Sequence, residues 1–199
     1  DLDSNINLIE SPHQGKAAAL NKALKCVKTD YTITIDSDTV LHPLAIRNIM
    51  NKLTNSDEKT AATAGCLFVK NAKKTFITKL QEWDYTLGIF GVKFIQGNYN
   101  STLVAQGAFS AYKTKAIKEI GGWQNCVGED IVLTWQLLSN GYETNFAKNA
   151  IAYTKVPEKF KDLGKQRKRW ARGMIEAFKK VKIFKSKKLS PKSRHLMFM

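Results

Sequence analysis

The order of the predicted elements indicates an α/β domain built on a mostly parallel β-sheet. Strand-like segments alternate along the chain with segments whose apolar residues recur three and four positions apart, as on one face of a helix. Strands that alternate with helices are typical of a sheet covered by helices. The chain has 199 residues, 43% of them hydrophobic and 25% charged, which is enough to bury one core as a single domain.

The first half of the chain contains three predicted strands and three predicted helices. The strands cover residues 6–10, 31–36 and 61–70, and the helices cover residues 17–27, 44–53 and 74–94. Pro43 directly precedes the second helix, and proline is favoured where a helix begins. Polar loops at 11–16 and 54–60 separate these elements.

The second half is predicted to add a strand–turn–strand unit, three helices and a final strand region. The unit covers residues 101–114 with its turn at Gly107, the helices cover residues 115–120, 129–140 and about 160–183, and one or two strands lie in 144–156. Gly121 and Gly122 end the first of these helices, and Asn140 and Gly141 end the second, as C-terminal capping preferences favour.

Positive charge is concentrated toward the C-terminal end of the chain. The net charge is +15, and residues 155–194 contain 16 Lys and Arg against three acidic residues. Such a segment suits nucleic acid, an anionic membrane surface or the phosphates of a small substrate, and composition does not choose among them. The three cysteines lie far apart without a CxxC spacing, which favours reduced core thiols over disulfides.

Two carboxylates follow the predicted strand at 31–36, one residue apart. Asp36 and Asp38 would point to the same side of a strand, because strand side chains repeat every two residues. Such a pair suits Mg²⁺ or Mn²⁺, which binds one or two acids together with substrate phosphates. The alternative is an acidic turn that caps the next helix. Lys16, where the first helix starts, is a candidate for binding an anion, with an ordinary surface lysine as the alternative.

Glu129 and Asp130 begin a predicted helix. One of these carboxylates would serve as a general base aimed at a substrate hydroxyl. The alternative is a favourable interaction of the two acids with the helix dipole.

Gln166, Arg169 and Trp170 lie three and four residues apart in the basic segment, so they share one face of the predicted helix. Arg169 suits a phosphate group, and Trp170 suits the flat apolar face of a sugar ring. The alternative is a solvated basic helix with Trp170 buried at its base beside Met174 and Phe178.

Five segments taken together resemble membrane-bound, processive family 2 glycosyltransferases. They are GKAAALNKAL at 15–24, IDSDT at 35–39, GAFSAYKTKAI…GGW at 107–123, GEDIVLTWQLLSNGY at 128–142 and VPEKFKDLGKQRKRWARG at 156–173. The motifs D-x-D, (T/G)-E-D and Q-x-x-R-W occur in the order and spacing of that family, and the resemblance covers residues 6–180. The stretch at 121–175 is most similar to poly-N-acetylglucosamine synthases, with cellulose, chitin and hyaluronan synthases further away.

The resemblance implies a GT-A fold and an inverting transfer of N-acetylglucosamine or glucose from a UDP-sugar donor to a growing polysaccharide acceptor. It also implies a role for each candidate residue. In the family's pattern, Asp130 is the general base, and Glu129 completes the acidic motif at the substrate. Asp38 binds Mg²⁺ or Mn²⁺, and Lys16 and Asp36 lie at the nucleotide. Gln166 and Arg169 contact the diphosphate, and Trp170 lines the acceptor site with Gln106 and Gly107.

The resemblance also divides the chain into three parts at the cell membrane, with the catalytic domain on the cytoplasmic face. Residues 1–155 are expected to form a partial GT-A catalytic domain, because the first strand and helix of the family have no counterpart here. Residues 156–190 are expected to form a basic amphipathic helix on the membrane surface, and residues 191–199 to begin a transmembrane helix. We expect this chain by itself to bind UDP-sugar weakly.

The membrane-facing side of the basic helix is predicted from its apolar residues. Trp170, Met174, Phe178 and Val181 form one stripe flanked by lysines. Such a stripe is typical of a helix that lies in the interface of an anionic leaflet.

Two other classes of protein share some of these features. A nucleotidyltransferase also holds paired carboxylates on a strand for metal and phosphates, but it has no need of the Gln166, Arg169 and Trp170 set. A nucleic-acid-binding module would use the basic segment, but this segment lacks the interleaved aromatic residues that stack on bases. We therefore expect no nucleic-acid partner.

Overall fold

A computed structural model describes residues 6–197 of the chain, which form a five-stranded sheet with helices packed on both faces. The strands are β1 (Tyr31–Ile35), β2 (Val40–Leu41), β3 (Thr60–Val69), β4 (Phe109–Lys113) and β5 (Glu143–Thr154). Their order across the sheet is β1-β4-β3-β5-β2.

The strand pairing corrects the prediction of a mostly parallel sheet. Only β3 and β5 pair in parallel among the described strands, whereas β1 with β4, β3 with β4, and β2 with β5 are antiparallel. Strands β1, β3 and β5 do run in one direction, as strand–helix alternation predicts. The difference arises because β4 enters between β1 and β3 from the opposite end of the sheet.

The predicted helices are confirmed, with ends that differ by a few residues. They are α1 (Lys16–Cys26), α2 (Ala45–Thr54), α3 (Phe76–Asp84), α4 (Val92–Asn98), α5 (Thr114–Glu119), α6 (Glu129–Ser139), α7 (Phe160–Lys180) and α8 (Pro191–Met197). A π-helical segment, Tyr85–Gly91, joins α3 to α4 without a break, and a short 3₁₀ helix covers Ile183–Lys185.

Two predicted strands are absent from the structure. Residues 6–10 form no strand: Ile6 and Leu8 are 56% and 75% exposed, and no strand in the described part of the chain lies beside them to pair with. Residues 102–106 form no strand either, and Ser101 makes only an isolated bridge to Thr144. The strand–turn–strand unit is therefore reduced to β4 and the loop that leads into it.

The sheet has a hydrophobic core on each face. Phe109 and Ala111 of β4 pack in a cluster with α2, whereas Tyr112 packs in a cluster with α1, α5 and α6. This division follows from strand geometry, because successive side chains point to opposite faces. Both clusters include fully buried residues, such as Ile49 and Leu133, and truncating either one to Ala would cost about 2–5 kcal/mol of stability.

The predicted start of a transmembrane helix at 191–199 lies partly in α8. Residues 198 and 199 fall outside the described part of the chain. Within residues 6–197, no helix has both the length and the apolar character needed to cross a bilayer.

Candidate active site

A cavity of about 480 Å³ opens at the edge of the sheet where β1, β3 and β5 end. Its walls include every residue marked as a site candidate in the sequence: Lys16, Asp36, Asp38, Gln106, Gly107, Glu129, Asp130, Gln166, Arg169 and Trp170. The two aspartates and the arginine–tryptophan helix therefore face a single cleft. This shared cleft is the arrangement that the glycosyltransferase hypothesis requires.

The antiparallel pairing of β1 with β4 places the Asp pair beside the turn at Gln106 and Gly107. Ile35, the last residue of β1, is opposite Phe109, the first residue of β4, and the Asp36 backbone N–H donates to the Ala108 carbonyl at 3.1 Å. Both carboxylates line the cavity, as predicted. They lie in a turn after the strand rather than on the strand itself.

Lys16 links Asp36 to the start of α6. Its ammonium lies 2.5 Å from Asp36 Oδ1 and 3.6 Å from Glu129 Oε1. Burial lowers the pKa of Lys16, but the hydrogen bond to Asp36 and the surrounding acids outweigh that effect, so the pKa lies above its ordinary value. For Glu129, burial and then the charge of Asp130 raise the pKa. The lysine thus offsets a concentration of negative charge at one end of the cavity.

Asp130 is held in place by backbone N–H groups. Gly107 donates to Asp130 Oδ2 at 3.0 Å, and Ile131 donates to Asp130 Oδ1 at 2.9 Å. A Cβ at Gly107 would lie 2.7 Å from Lys16 Nζ and 3.8 Å from Asp130 Oδ2, so a side chain there would displace the lysine ammonium. The glycine therefore allows the backbone to approach both ionic groups.

The loop that leads into this turn takes its hydrogen bonds from side chains, which explains why residues 102–106 form no strand. On α4, the Gln96 side chain accepts from Leu103 N at 3.1 Å. On α6, Thr134 Oγ1 accepts from Ala105 N at 2.9 Å, and Trp135 Nε1 donates to the Leu103 carbonyl at 3.1 Å. Buried backbone groups need partners, and here two helices supply them instead of a neighbouring strand.

Gln106 contributes mainly to the wall of the cavity. Its side-chain Nε2 donates to the Gly65 carbonyl at 2.6 Å, and its own carbonyl accepts from Ser110 Oγ at 2.8 Å. The residue is 9% exposed. The Gln106 side-chain amide thus anchors the turn to β3, and Gln106 forms a small part of the cavity wall.

Helix α7 forms another wall of the cavity. The Trp170 ring packs near the Tyr85 ring of the π-helical segment, with centroids 6.5 Å apart, and the Arg167 guanidinium lies 4.4 Å from the centre of the Trp170 ring. Arg167 also pairs with Asp84. These contacts fix Trp170 in the wall, half-buried, while Arg169 is exposed at the rim.

A close glycine–glycine contact sets the distance between α6 and α7. Gly128 precedes α6 with a φ of 77° in the left-handed region, and a Cβ at this position would lie 2.9 Å from the Gly173 Cα. Glu176 of α7 reinforces the contact by accepting from Val127 N at 2.9 Å. The crossing brings the helix with Arg169 against the helix with Asp130.

Two observations show that the cavity is suited to a charged or polar ligand. Gln166 Oε1 is buried and has no hydrogen-bond partner among the described residues. Asp38 is exposed in the cavity wall and forms no ion pair or hydrogen bond within residues 6–197. The buried Gln166 oxygen needs a hydrogen-bond donor, and the unpaired Asp38 carboxylate can bind a cation, so a ligand that enters the cavity can serve as the partner of each.

The carboxylates fit a divalent ion only if the substrate shares it. No group of three or more His, Cys, Asp or Glu residues is arranged to hold a metal within the described chain. Mg²⁺ and Mn²⁺ commonly bind one or two carboxylates and take their other ligands from phosphates and water. The unpartnered Asp38 carboxylate meets that requirement.

The comparison with protein families adds the deciding observation. Residues 2–173 match the family described as "Glycosyltransferase like family 2". The chain belongs to glycosyltransferase family 2. This membership favours the glycosyltransferase hypothesis over the nucleotidyltransferase and nucleic-acid-binding alternatives.

Curated relatives of the family 2 chain include two bacterial synthases. It is 31% identical over 162 residues to the poly-beta-1,6-N-acetyl-D-glucosamine synthase of Staphylococcus aureus (strain COL), and 31% identical over 181 residues to the protein of that name from Staphylococcus epidermidis. The alignments cover 81% and 89% of this chain but 39% and 43% of those proteins. The chain therefore spans less than half the length of these relatives.

Solved structures confirm the predicted GT-A fold of the family 2 chain. A mannosyltransferase from Pyrobaculum calidifontis, in complex with GDP-Man and Mn²⁺, superposes with a TM-score of 0.72 at 19% identity, covering 95% of this chain and 49% of that one. Glucosyl-3-phosphoglycerate synthase from Mycobacterium tuberculosis, in complex with Mn²⁺, UDP and its product, gives a TM-score of 0.50 at 14% identity, over 83% and 55% of the two chains.

One cavity residue of the family 2 chain was missed in the sequence. Lys93 of α4 is only 7% exposed, and it lines the cavity. A signal was present, because Tyr85, Ile89, Lys93 and Gln96 recur at spacings of four, four and three along one helical face. A lysine within such an apolar face is unusual, since lysine is almost never fully buried without a partner.

The predicted membrane stripe of the family 2 chain is partly buried and partly exposed. Val181 is buried in a cluster with α6, the Phe178 ring lies 4.7 Å from the Trp135 ring, and Trp170 faces the cavity. Met174 and Phe178 remain 38% and 49% exposed, so the membrane-facing role of the stripe stays a prediction. A helical stripe predicts a buried face but does not say what covers it.

Proposed function

We propose that this chain is the catalytic part of an inverting, divalent-metal-dependent glycosyltransferase. It would transfer N-acetylglucosamine or glucose from a UDP-sugar to a growing polysaccharide. The observation that carries the proposal is the convergence of the aspartate pair, the Glu129–Asp130 pair and the Gln166–Arg169–Trp170 face on one cavity. These groups come from three separate parts of the chain, so packing alone does not account for their meeting.

Asp130 is the residue best placed to act as general base. Its carboxylate lines the cavity at the first turn of α6, and two backbone N–H groups orient it. In an inverting transfer, the base removes the proton of the acceptor hydroxyl as that oxygen bonds to the sugar carbon and the diphosphate departs. A fixed carboxylate within reach of the hydroxyl suits this task.

The part of the cavity lined by Asp36, Asp38 and Arg169 is suited to the diphosphate leaving group. Asp38, with Asp36 beside it, would hold the Mg²⁺ or Mn²⁺ ion, which supplies positive charge to the phosphates as they depart. Arg169 would donate to the phosphate oxygens, since a guanidinium binds phosphate in a bidentate manner. Lys16 adds a second cation at this end, and such fixed charges stabilise a leaving group where its charge develops.

The donor and acceptor are proposed from the relatives. Those from the two staphylococci are named as synthases of a β-1,6-linked N-acetylglucosamine polymer, which favours N-acetylglucosamine, with glucose as the second candidate. The mycobacterial neighbour was solved with UDP and Mn²⁺, which is consistent with a UDP-linked donor. Trp170 would form the floor on which the acceptor sugar rests.

We also propose that the domain acts at the cytoplasmic face of the cell membrane. Residues 155–194 carry 16 basic side chains, and Phe160 and Ile175 of α7 are 75% and 55% exposed beside them. Lysines near exposed apolar side chains attract an anionic leaflet. Flotation with vesicles that contain phosphatidylserine tests this, and equal recovery with neutral vesicles would contradict it.

The proposed activity is tested with the complete gene product in membrane vesicles. Individual UDP-sugars are supplied with Mg²⁺ or Mn²⁺, and both UDP release and polymer are measured. We expect one sugar to give polymer in the wild type and none to do so in Asp130→Asn. Glu58→Gln, which changes an exposed acid outside the cavity, serves as the matched control. The absence of UDP release from every sugar, with a correctly folded protein, would contradict the proposal.

A further inference from the structure

Lys93 has hydrogen-bonding capacity that the proposed function does not use. Its ammonium donates to the carbonyl oxygen of Val104, on the loop that leads to the turn at Gln106 and Gly107. It makes no ion pair and no other hydrogen bond with residues 6–197, although it is 93% buried and lines the cavity. An ammonium has three donor hydrogens, so two are left for a ligand.

Holding the loop does not require a charged side chain. The other side chains that bind the backbone of residues 103–105 are neutral: Gln96, Tyr112, Thr134 and Trp135. A buried ammonium loses more solvation than a neutral donor does. For Lys93, burial lowers the pKa to about 8, although the charge of Asp130 opposes this change. A neutral donor would hold Val104 with a smaller desolvation penalty, so we infer that the charge of Lys93 serves a further purpose.

The position of Lys93 relative to Asp130 indicates that purpose. Lys93 binds the loop at Val104 from α4, and Asp130 binds it at Gly107 from α6. Both side chains line the same cavity, and their charges interact. An acceptor hydroxyl that meets Asp130 therefore shares the cavity with the Lys93 cation.

We propose that Lys93 is an acceptor-binding residue, whose ammonium donates to an oxygen of the acceptor sugar next to the hydroxyl that Asp130 deprotonates. This inference rests on the proposed glycosyltransferase function and adds a cation to the acceptor end of the cavity. The same ammonium holds Val104, so acceptor binding and the position of the loop depend on one group. Ile89 and Val92 also line the cavity wall, and Gln96 on the same helix uses its side-chain oxygen to accept from Leu103 N.

Three substitutions separate binding from loop support. Lys93→Met removes the charge and all donors, Lys93→Gln keeps a neutral donor for Val104, and Lys93→Arg keeps the charge. Trp135→Phe is the matched control, because it removes another hydrogen bond to the same loop from a residue outside the cavity wall. Thermal unfolding of each variant measures the structural effect separately.

The assay uses the complete gene product, UDP-N-acetylglucosamine and a short β-1,6-linked N-acetylglucosamine oligosaccharide as added acceptor. We expect Lys93→Met and Lys93→Gln to raise the KM for the oligosaccharide at least about tenfold, because hydrogen bonds from charged donors are among the stronger ones. The KM for the donor should change by less than about twofold. Lys93→Arg should restore part of the acceptor affinity, and Trp135→Phe should lower the unfolding temperature without raising the acceptor KM.

The pH profile gives a second readout that loop support would not change. The titratable groups that face Lys93 are Asp130 on α6 and Cys66 on β3; burial raises the pKa of the Cys66 thiol to about 12, so it stays neutral. We expect the acceptor KM of the wild type to rise as the pH increases through about 8, where the ammonium loses its charge. The profile of Lys93→Met should be flat in that range.

Direct titration of the oligosaccharide into the protein, with UDP and Mn²⁺ present, distinguishes the two proposals. Binding to the wild type that is lost in Lys93→Met supports the inference even where no transfer is measured. Transfer by the wild type with an unchanged acceptor KM in Lys93→Met overturns the inference and leaves the proposed function intact. A wild type that neither binds the oligosaccharide nor transfers sugar overturns both.

Discussion

The glycine–glycine contact between α6 and α7 predicts that Gly173→Ala will impair the enzyme more than the fold. A Cβ on Gly173 would lie 3.1 Å from the Gly128 Cα, 3.2 Å from the Gly128 N and 3.3 Å from the Val127 carbonyl oxygen. Ordinary contacts begin at 3.4 Å. Because all three neighbours are backbone atoms, they cannot rotate away, and α7 must move by a few tenths of an ångström.

The expected stability change is small because two effects oppose each other. Overpacking costs about 1–3 kcal/mol, while Ala improves helix propensity over Gly by about 0.8–1 kcal/mol. The free energy of unfolding should therefore fall by roughly 0–2 kcal/mol. The catalytic effect is larger, because the shift moves Arg169 and Trp170 relative to Asp130. A misplacement of about 1 Å can cost roughly 100-fold in rate, so we expect about a tenfold lower kcat.

Gly164→Ala is the matched control on the same helix. A Cβ at Gly164 would have nothing within 4 Å, so this variant should gain about 0.8–1 kcal/mol of stability and keep its transfer rate. Sugar transfer and thermal unfolding are measured for both variants. If Gly173→Ala matched Gly164→Ala in both rate and stability, the crossing would not set the position of α7.

Three further predictions test other parts of the site. In the complete gene product, Asp38→Asn should greatly weaken the binding of UDP in the presence of Mn²⁺, as measured by isothermal titration; an unchanged affinity would remove Asp38 from the metal site. Asp130→Asn should lower the transfer rate by about 10²–10⁴-fold while UDP binding persists, and a simultaneous loss of both would indicate a folding defect instead. The hydrogen bond from Arg172, and then the one from the Val127 N–H, lower the pKa of Glu176 from 4.5. The stability that the Glu176 carboxylate provides is therefore present above pH 4.5 and is lost as the pH falls through the lowered pKa. The unfolding temperatures of the wild type and Glu176→Gln should therefore differ at neutral pH and converge in acid, whereas a constant difference would rule out the carboxylate as its source.

The residues of the candidate site could be predicted because their signals are local. Asp36 and Asp38 follow a strand of alternating pattern, Glu129 and Asp130 begin a helix, and the spacing around Arg169 defines a helical face. Each signal depends on residues within a turn or a strand of one another. The order of the motifs then related the pieces to a single family, which no motif does alone.

The features that were mispredicted depend on contacts between distant parts of the chain. The direction of β4 depends on its pairing with β1, about 75 residues earlier. Residues 102–106 have the apolar composition of a strand, but side chains of α4 and α6 take their backbone hydrogen bonds. Lys93 was missed because its lysine identity predicts exposure, whereas in the structure it is buried while Val92, Phe94 and Ile95 beside it on α4 are exposed.

The position of β4 has a consequence for the order in which the protein folds during synthesis. Strand β1 has β4 as its neighbour in the sheet, and β3 lies between β4 and β5. No pair of described strands can therefore form until residue 109 has been made, and the parallel pair must wait for residue 143. Domains generally fold as units during translation, and long-range strand pairing is slow. Until β4 has been made, β1 and β3 remain unpaired in the sheet, and apolar side chains that the sheet later buries stay uncovered, so we expect chaperones to bind this part of the nascent chain.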